Sequence, residues 1–109
     1  MTCSAPLHPA EKQRLRALER YKVLDTDPEP AFDDLAKVAA HICDTPMALV
    51  SLVDESRQWF KAKVGLDATE TPRDIAFCAH AILDPGSVLQ VSDPTKDERF
   101  KNNPLVTGE

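Results

Sequence analysis

Apolar positions divide this chain into stretches of two different periods. Leu15, Leu18 and Tyr21 recur at helical spacing, with Arg and Lys on the other sides. Pro9 and Glu11 stand ahead of them, where a proline fits the first turn and an acid suits the positive end of the helix dipole. Together they predict a one-sided amphipathic helix over 10–22. DTDPEP, residues 25–30, interrupts it with two prolines in three residues. A second helix follows over 30–43, with Phe32, Leu35, Val38, Ala39 and Ile42 as its apolar stripe. His41 and Cys43 flank the stripe and read as packing or surface residues.

The period then shortens. In MALVSLVD, 47–54, Met47, Leu49 and Val53 point one way and Ala48, Val50 and Leu52 the other. Both faces are apolar, so this is a central strand buried on two sides. A turn over 54–57 leads to QWFKAKV, where Phe60, Ala62 and Val64 alternate with Trp59, Lys61 and Lys63. That pattern predicts a strand covered on one face and wetter on the other. The short turn makes the two an antiparallel hairpin.

GLDATETPRD, 65–74, is rich in turn residues and reads as a loop. A third helix is predicted over 74–83, and DPGS ends it. SVLQVSD, 87–93, reads as a short strand. In 93–104, Asp93 is a cap candidate for a helical turn over 95–100, and Phe100 is its anchor to the core. Three strands make a thin sheet for so many helices, so the chain reads as about the front two-thirds of an α+β domain. Residues 1–8 form a flexible tail and 9–109 the domain.

FCAHAI, 77–82, sets Cys78 two residues before His80. At about 100° per helical residue, Ile75, Cys78, Ala79 and Ile82 share one face, while Phe77 and His80 lie opposite. The thiol and imidazole therefore do not meet on their own helix, which disfavours a local nucleophile–base pair or a shared metal site. A helix apolar on nearly all sides is buried on more than one. Two readings stay open: a buried helix with a satisfied histidine, or one wall of a cavity lined by Phe77 and His80.

Composition narrows the partners. The formal net charge of −5 argues against a nucleic-acid backbone. No apolar run reaches the length of a membrane span, and the N-terminus lacks the apolar core of a secretory signal. A cytoplasmic chain fits. Three cysteines, at 3, 43 and 78, form no CxxC pair and read as free thiols rather than disulfides or zinc ligands.

Four stretches occur in one order: ALERYKVLDTDPEPAFDDLAKVAA, PMALVSLVDESRQWFKAKVGL, ETPRDIAFCAHAI and VLQVSDPTKDERFKNNPLVTG. Together they resemble the GAF domain, of the kind found N-terminally in bacterial sensor histidine kinases and diguanylate cyclases. The resemblance implies a GAF-like central antiparallel sheet with helices on both faces and a ligand pocket partly covered by the 77–82 helix. It also implies that the C-terminal strands and helix of such a domain are missing here. Unpaired edges and apolar surface would then favour association, so a homodimer is expected, by strand exchange or shared helices.

What the resemblance implies for function is a non-catalytic sensory domain of a two-component or related signalling protein. It would bind an unknown small molecule, or relay a conformational change, to a histidine kinase or cyclic di-GMP output domain. The expected ligand-binding residues are Trp59, Arg73, Phe77 and His80. Trp59 offers a stacking face and a donor. Arg73 offers a fork of donors for an anion, or alternatively ties a loop through Glu70 or Asp74. No catalytic residue, metal or cofactor is expected.

Two other readings rest on relatives of that family. A free methionine sulfoxide reductase needs an accessible, low-pKa thiolate with a resolving thiol, and neither Cys43 nor Cys78 has an evident partner. Bilin-binding relatives commonly have histidine next to the attachment cysteine, whereas Ala79 intervenes here.

Overall fold

The structure, a computed structural model, describes residues 4–107. The elements in chain order are α1 (Glu11–Tyr21), α2 (Pro30–Cys43), β1 (Ala48–Val53), β2 (Arg57–Val64) and β3 (Glu70–Pro72). They continue with a 3₁₀ turn at Arg73–Ile75, α3 (Phe77–Ala81), a 3₁₀ turn at Pro94–Lys96 and α4 (Pro104–Thr107). The three strands form one antiparallel sheet in the order β1-β2-β3. Helices cover both faces. Phe32 of α2 shares a groove with Val50, Leu52 and Lys61, whereas Ala79, Cys78 and Ile82 pack with Val53 on the other side.

The α+β hairpin architecture follows the pattern of the sequence, and α2 spans the predicted residues. The stripe on α2 does not behave as expected. Leu35, Val38 and Ile42 are 59, 53 and 74% exposed, and Ala36 is the buried residue of the helix. The sheet below already carries bulky Val50, Leu52 and Lys61. The helix therefore approaches with its small-residue side, Ala36 and Ala40, and with Phe32 at one end.

The register of β1 and β2 shifts between Val50 and Ser51: Val50 pairs with Ala62 and Ser51 with Phe60. Lys61 is the extra residue of this bulge, which increases twist locally. Instead of one wet face, Gln58, Trp59, Phe60, Lys61 and Ala62 are all buried. β1, expected to be central, is an edge strand among the described residues, and apart from Val53 its residues are half-buried. Gly65 follows β2 at the open end of the hairpin, at φ 77°, where a Cβ would lie 2.1 Å from the Pro46 carbonyl oxygen. Only glycine fits there.

Two further expectations are corrected. The 65–74 loop contains β3, whose Pro72, Thr71 and Glu70 pair with Arg57, Gln58 and Trp59. The 87–93 segment is not a strand: Val88 is 92% exposed and no strand lies beside it among the described residues. A strand exists only through lateral pairing, whatever its side-chain alternation. The helix expected over 74–83 is a 3₁₀ turn followed by the shorter α3. Beyond it, the Asp93 carboxylate accepts the Thr95 N–H at 3.0 Å and caps the second 3₁₀ turn. Phe100 is fully buried. Ala5, from the expected tail, packs on the Val53–Ala76–Ala79 cluster. Residues 1–3, including Cys3, and 108–109 lie outside the described residues.

Candidate functional site

The connector between α1 and α2 is fastened to the sheet by charge. Lys61 is only 3% exposed, and its Nζ donates to Thr26 Oγ1 and the Asp27 carbonyl, each at 2.6 Å. Glu29 Oε2 lies 2.6 Å away, and the ammonium sits 5.6 Å from the Phe32 ring centroid. A buried ammonium is tolerated only when its donors are used and its charge is paired, and three acceptors from one connector do both. The bulge makes this possible, because it aims a strand residue under the connector rather than along the ladder.

Arg57 forms a second clamp at the start of β2. It makes a two-pronged pair with Asp25 at 2.9 and 2.7 Å and also reaches Asp54 at 3.2 Å and Glu70 at 3.1 Å. Asp25 holds a left-handed backbone, φ 58°, that a non-glycine residue adopts at some cost. The Arg57 guanidinium holds the Asp25 carboxyl below the usual carboxylate range. Asp25 first, then Asp54 and Glu70, raise the guanidinium still further above its ordinary value.

Helix α1 has no buried residue, and polar contacts fix its first turn. Arg73 donates to Glu11 at 2.6 and 3.2 Å and to the Asp54 carbonyl at 3.1 Å. Arg14 pairs with the same carboxylate at 2.9 Å and donates to the Val53 carbonyl at the end of β1. Arg73 and then Arg14 hold the Glu11 carboxyl well below the usual range, at about 2.

Between these fastenings lies a groove of about 350 Å³. Leu18, Tyr21 and Val23 from the end of α1 and beyond line one side, Phe32 another, and Val50 and Leu52 the floor. Lys61 reaches into it but is saturated by the connector. A neighbouring groove of about 520 Å³ is lined by Pro28, Asp33, Lys37 and Trp59 among others.

The four expected ligand residues are not brought together. Trp59 lines the second groove. Arg73 is buried against Glu11 and the β1–β2 turn rather than pairing with Glu70 or Asp74. Phe77 stacks on Phe100, with centroids 4.1 Å apart, and His80 meets the same ring edge-on at 4.9 Å. Cys78 is on the other side of α3, with Ser51 Oγ 3.3 Å from its Sγ, so the thiol and imidazole diverge as the helical wheel requires. Sequence reasoning missed Lys61, Arg57 and Glu11. The available signals were a lysine inside an apolar strand and an acid-rich connector upstream of it.

A cyclic di-GMP phosphodiesterase of Pseudomonas aeruginosa is 39% identical over 107 residues, which is 97% of this chain and 18% of that protein. The similarity is to one part of a signalling enzyme. No family model matches the chain. The expectation that the chain has nothing enzymatic about it is corrected by this match, because the relative is by name a phosphodiesterase. The chain spans about a fifth of its length. Among the described residues no helix is long and apolar enough to cross a membrane.

Proposed function

We propose that this chain is the regulatory part of a cyclic di-GMP phosphodiesterase, a GAF-like module that reports the state of its groove through α1. The match to the P. aeruginosa enzyme supports the signalling context. The observation that carries the reading is the Lys61 clamp. One buried ammonium holds the connector across the sheet, and the same connector forms the rim of the groove. A small, largely apolar molecule suits walls of Leu, Val, Phe and Tyr.

Occupancy of the groove acts on the end of α1 directly, through Leu18, Tyr21 and Val23. Because α1 buries no residue, few apolar contacts resist its displacement, and its first turn pivots on the Glu11–Arg73 pair. A ligand that prefers one position of α1 shifts the balance between positions by its difference in affinity. The helix then carries that bias to the adjoining portion of the enzyme.

The test is a segment exchange. The matching segment of the P. aeruginosa enzyme is replaced by this chain, and separately removed, and cyclic di-GMP hydrolysis is measured. The reading predicts that removal changes the rate several-fold and that the exchanged segment restores regulation. Equal rates in all three proteins would overturn it.

A further inference from the structure

The outer edge of β2 is paired over only part of its length. β3 takes Arg57, Gln58 and Trp59, and the Phe60 N–H donates to the Thr69 carbonyl at 3.0 Å. From Lys61 onward no strand lies beside that edge among the described residues. The bulge at Lys61 bends β2 at this point. Lys63 Nζ donates to the Asp67 and Ala68 carbonyls at 2.8 and 3.0 Å and ties the following loop to the strand. A groove of about 520 Å³ is left between this edge, α2 and the connector. It meets the groove of Leu18, Tyr21 and Phe32 only at Thr26 and Lys61.

Three polar groups on the walls of this groove are unused. Trp59 is 9% exposed, yet its indole N–H makes no hydrogen bond among the described residues. A tryptophan so deeply buried ordinarily gives its N–H an acceptor. Asp33 and Lys37 stand one turn apart on the α2 wall, and neither side chain has a hydrogen-bond or ion-pair partner among the described residues. Opposite charges four residues apart on an exposed helix attract each other only weakly, so both stay available to a third party. The remaining cations are already satisfied, Lys61 by the connector and Lys63 by the loop. Pro28 and Ala62 add apolar surface.

The three groups select a ligand class together. A simple anion would meet Asp33, and a simple cation would meet Lys37. A zwitterion with its two charges on one carbon answers both, because residues 33 and 37 are separated by a rise of only about 6 Å along the helix. We propose that this groove binds a small α-amino acid with an apolar side chain. Its carboxylate accepts from Lys37 and from the Trp59 N–H, its ammonium donates to Asp33, and its side chain lies against Pro28 and Ala62. Charge-assisted hydrogen bonds of this kind are strong for their size, and three of them fix both the position and the charge pattern of the ligand.

Trp59 is the only tryptophan of the chain, so its indole N–H gives a single resonance in a proton–nitrogen correlation spectrum. The intact chain is titrated with L-leucine, with 4-methylpentanoate, which lacks the ammonium, and with isopentylamine, which lacks the carboxylate. Leucine is expected to move the indole resonance saturably with a Kd of about 0.1–1 mM, and each of the other two to bind at least about 10-fold more weakly. Lys37→Met is expected to weaken leucine about 10-fold. Asp33→Asn is expected to abolish the preference for leucine over 4-methylpentanoate, which a merely structural role for Asp33 would not do. Circular dichroism of both variants verifies that the fold is kept. An indole resonance unmoved by leucine at about 10 mM would overturn the proposal. So would three ligands that bind alike, or an Asp33→Asn chain that keeps the preference. This site is separate from the groove of the proposed function, so binding here can fail while the segment exchange still regulates hydrolysis, and the reverse.

Discussion

Lys61 is the residue on which the connector depends. Replacing it with methionine keeps most of the volume but leaves Thr26, the Asp27 carbonyl and Glu29 without their donor. Lys61→Met is expected to cost about 2 kcal/mol, read as a lower urea midpoint with an unchanged slope. Glu11 gives the pH signature. Its folded pKa is lowered to about 2 from an ordinary 4.5, so the stability it contributes is complete above pH 4.5. That contribution is lost as the pH falls from there toward 2. Asp97, held at about 2 mainly by Arg99, and Asp25, held down by Arg57, act in the same direction. Melting temperature is therefore expected to fall across this acid range, and Glu11→Gln to flatten the fall in part while lowering stability at pH 7. A Glu11→Gln profile parallel to the wild type would refute the pairing. These roles were hard to read in the sequence, because an isolated lysine or acid does not announce a partner dozens of residues away. Asp93 was legible, since its partner is Thr95, two residues on.

At the scale of elements, Phe100 joins the C-terminal segment to α3. It is fully buried, stacked on Phe77 and touched edge-on by His80. Phe100→Ala is expected to cost about 3–4 kcal/mol, seen as a depressed thermal midpoint. Helix α2 ends on Asp44 in the left-handed region, φ 52°. Asp44→Gly removes that cost and is expected to add about 0.5–1 kcal/mol of stability in the same assay. Elements with a repeating pattern of their own were legible: α2 and the β1–β2 hairpin follow from period 3.6 and period 2. β3 was not, because Glu70, Thr71 and Pro72 carry no alternation and become a strand only beside Arg57–Trp59. The reverse holds for 87–93, which has alternation but no strand to pair with among the described residues. The α2 stripe was legible as a stripe, yet its direction was not, because periodicity names a face without saying what lies opposite it.

Across the whole molecule, the start of α1 and the α1–α2 connector are held by ion pairs, whereas α2 and α3 pack on the sheet through apolar residues. Arg73 and Arg14 fasten the start of α1, Arg57 and Lys61 the connector, and the groove lies between. That arrangement suits a part whose helices move relative to a fixed hairpin. Such ion pairs have discrete partners and lose much of their value when displaced. In the proposed function, that motion is passed to the remainder of an enzyme like the P. aeruginosa phosphodiesterase to which the chain is similar. The most direct measurement is cyclic di-GMP hydrolysis by the P. aeruginosa enzyme carrying this chain in place of its matching segment, with and without Lys61→Met. If the clamp couples groove and α1, the variant changes the hydrolysis rate several-fold although the substitution lies outside the rest of the enzyme. Identical rates, with the segment still folded, would contradict a regulatory role for the clamp.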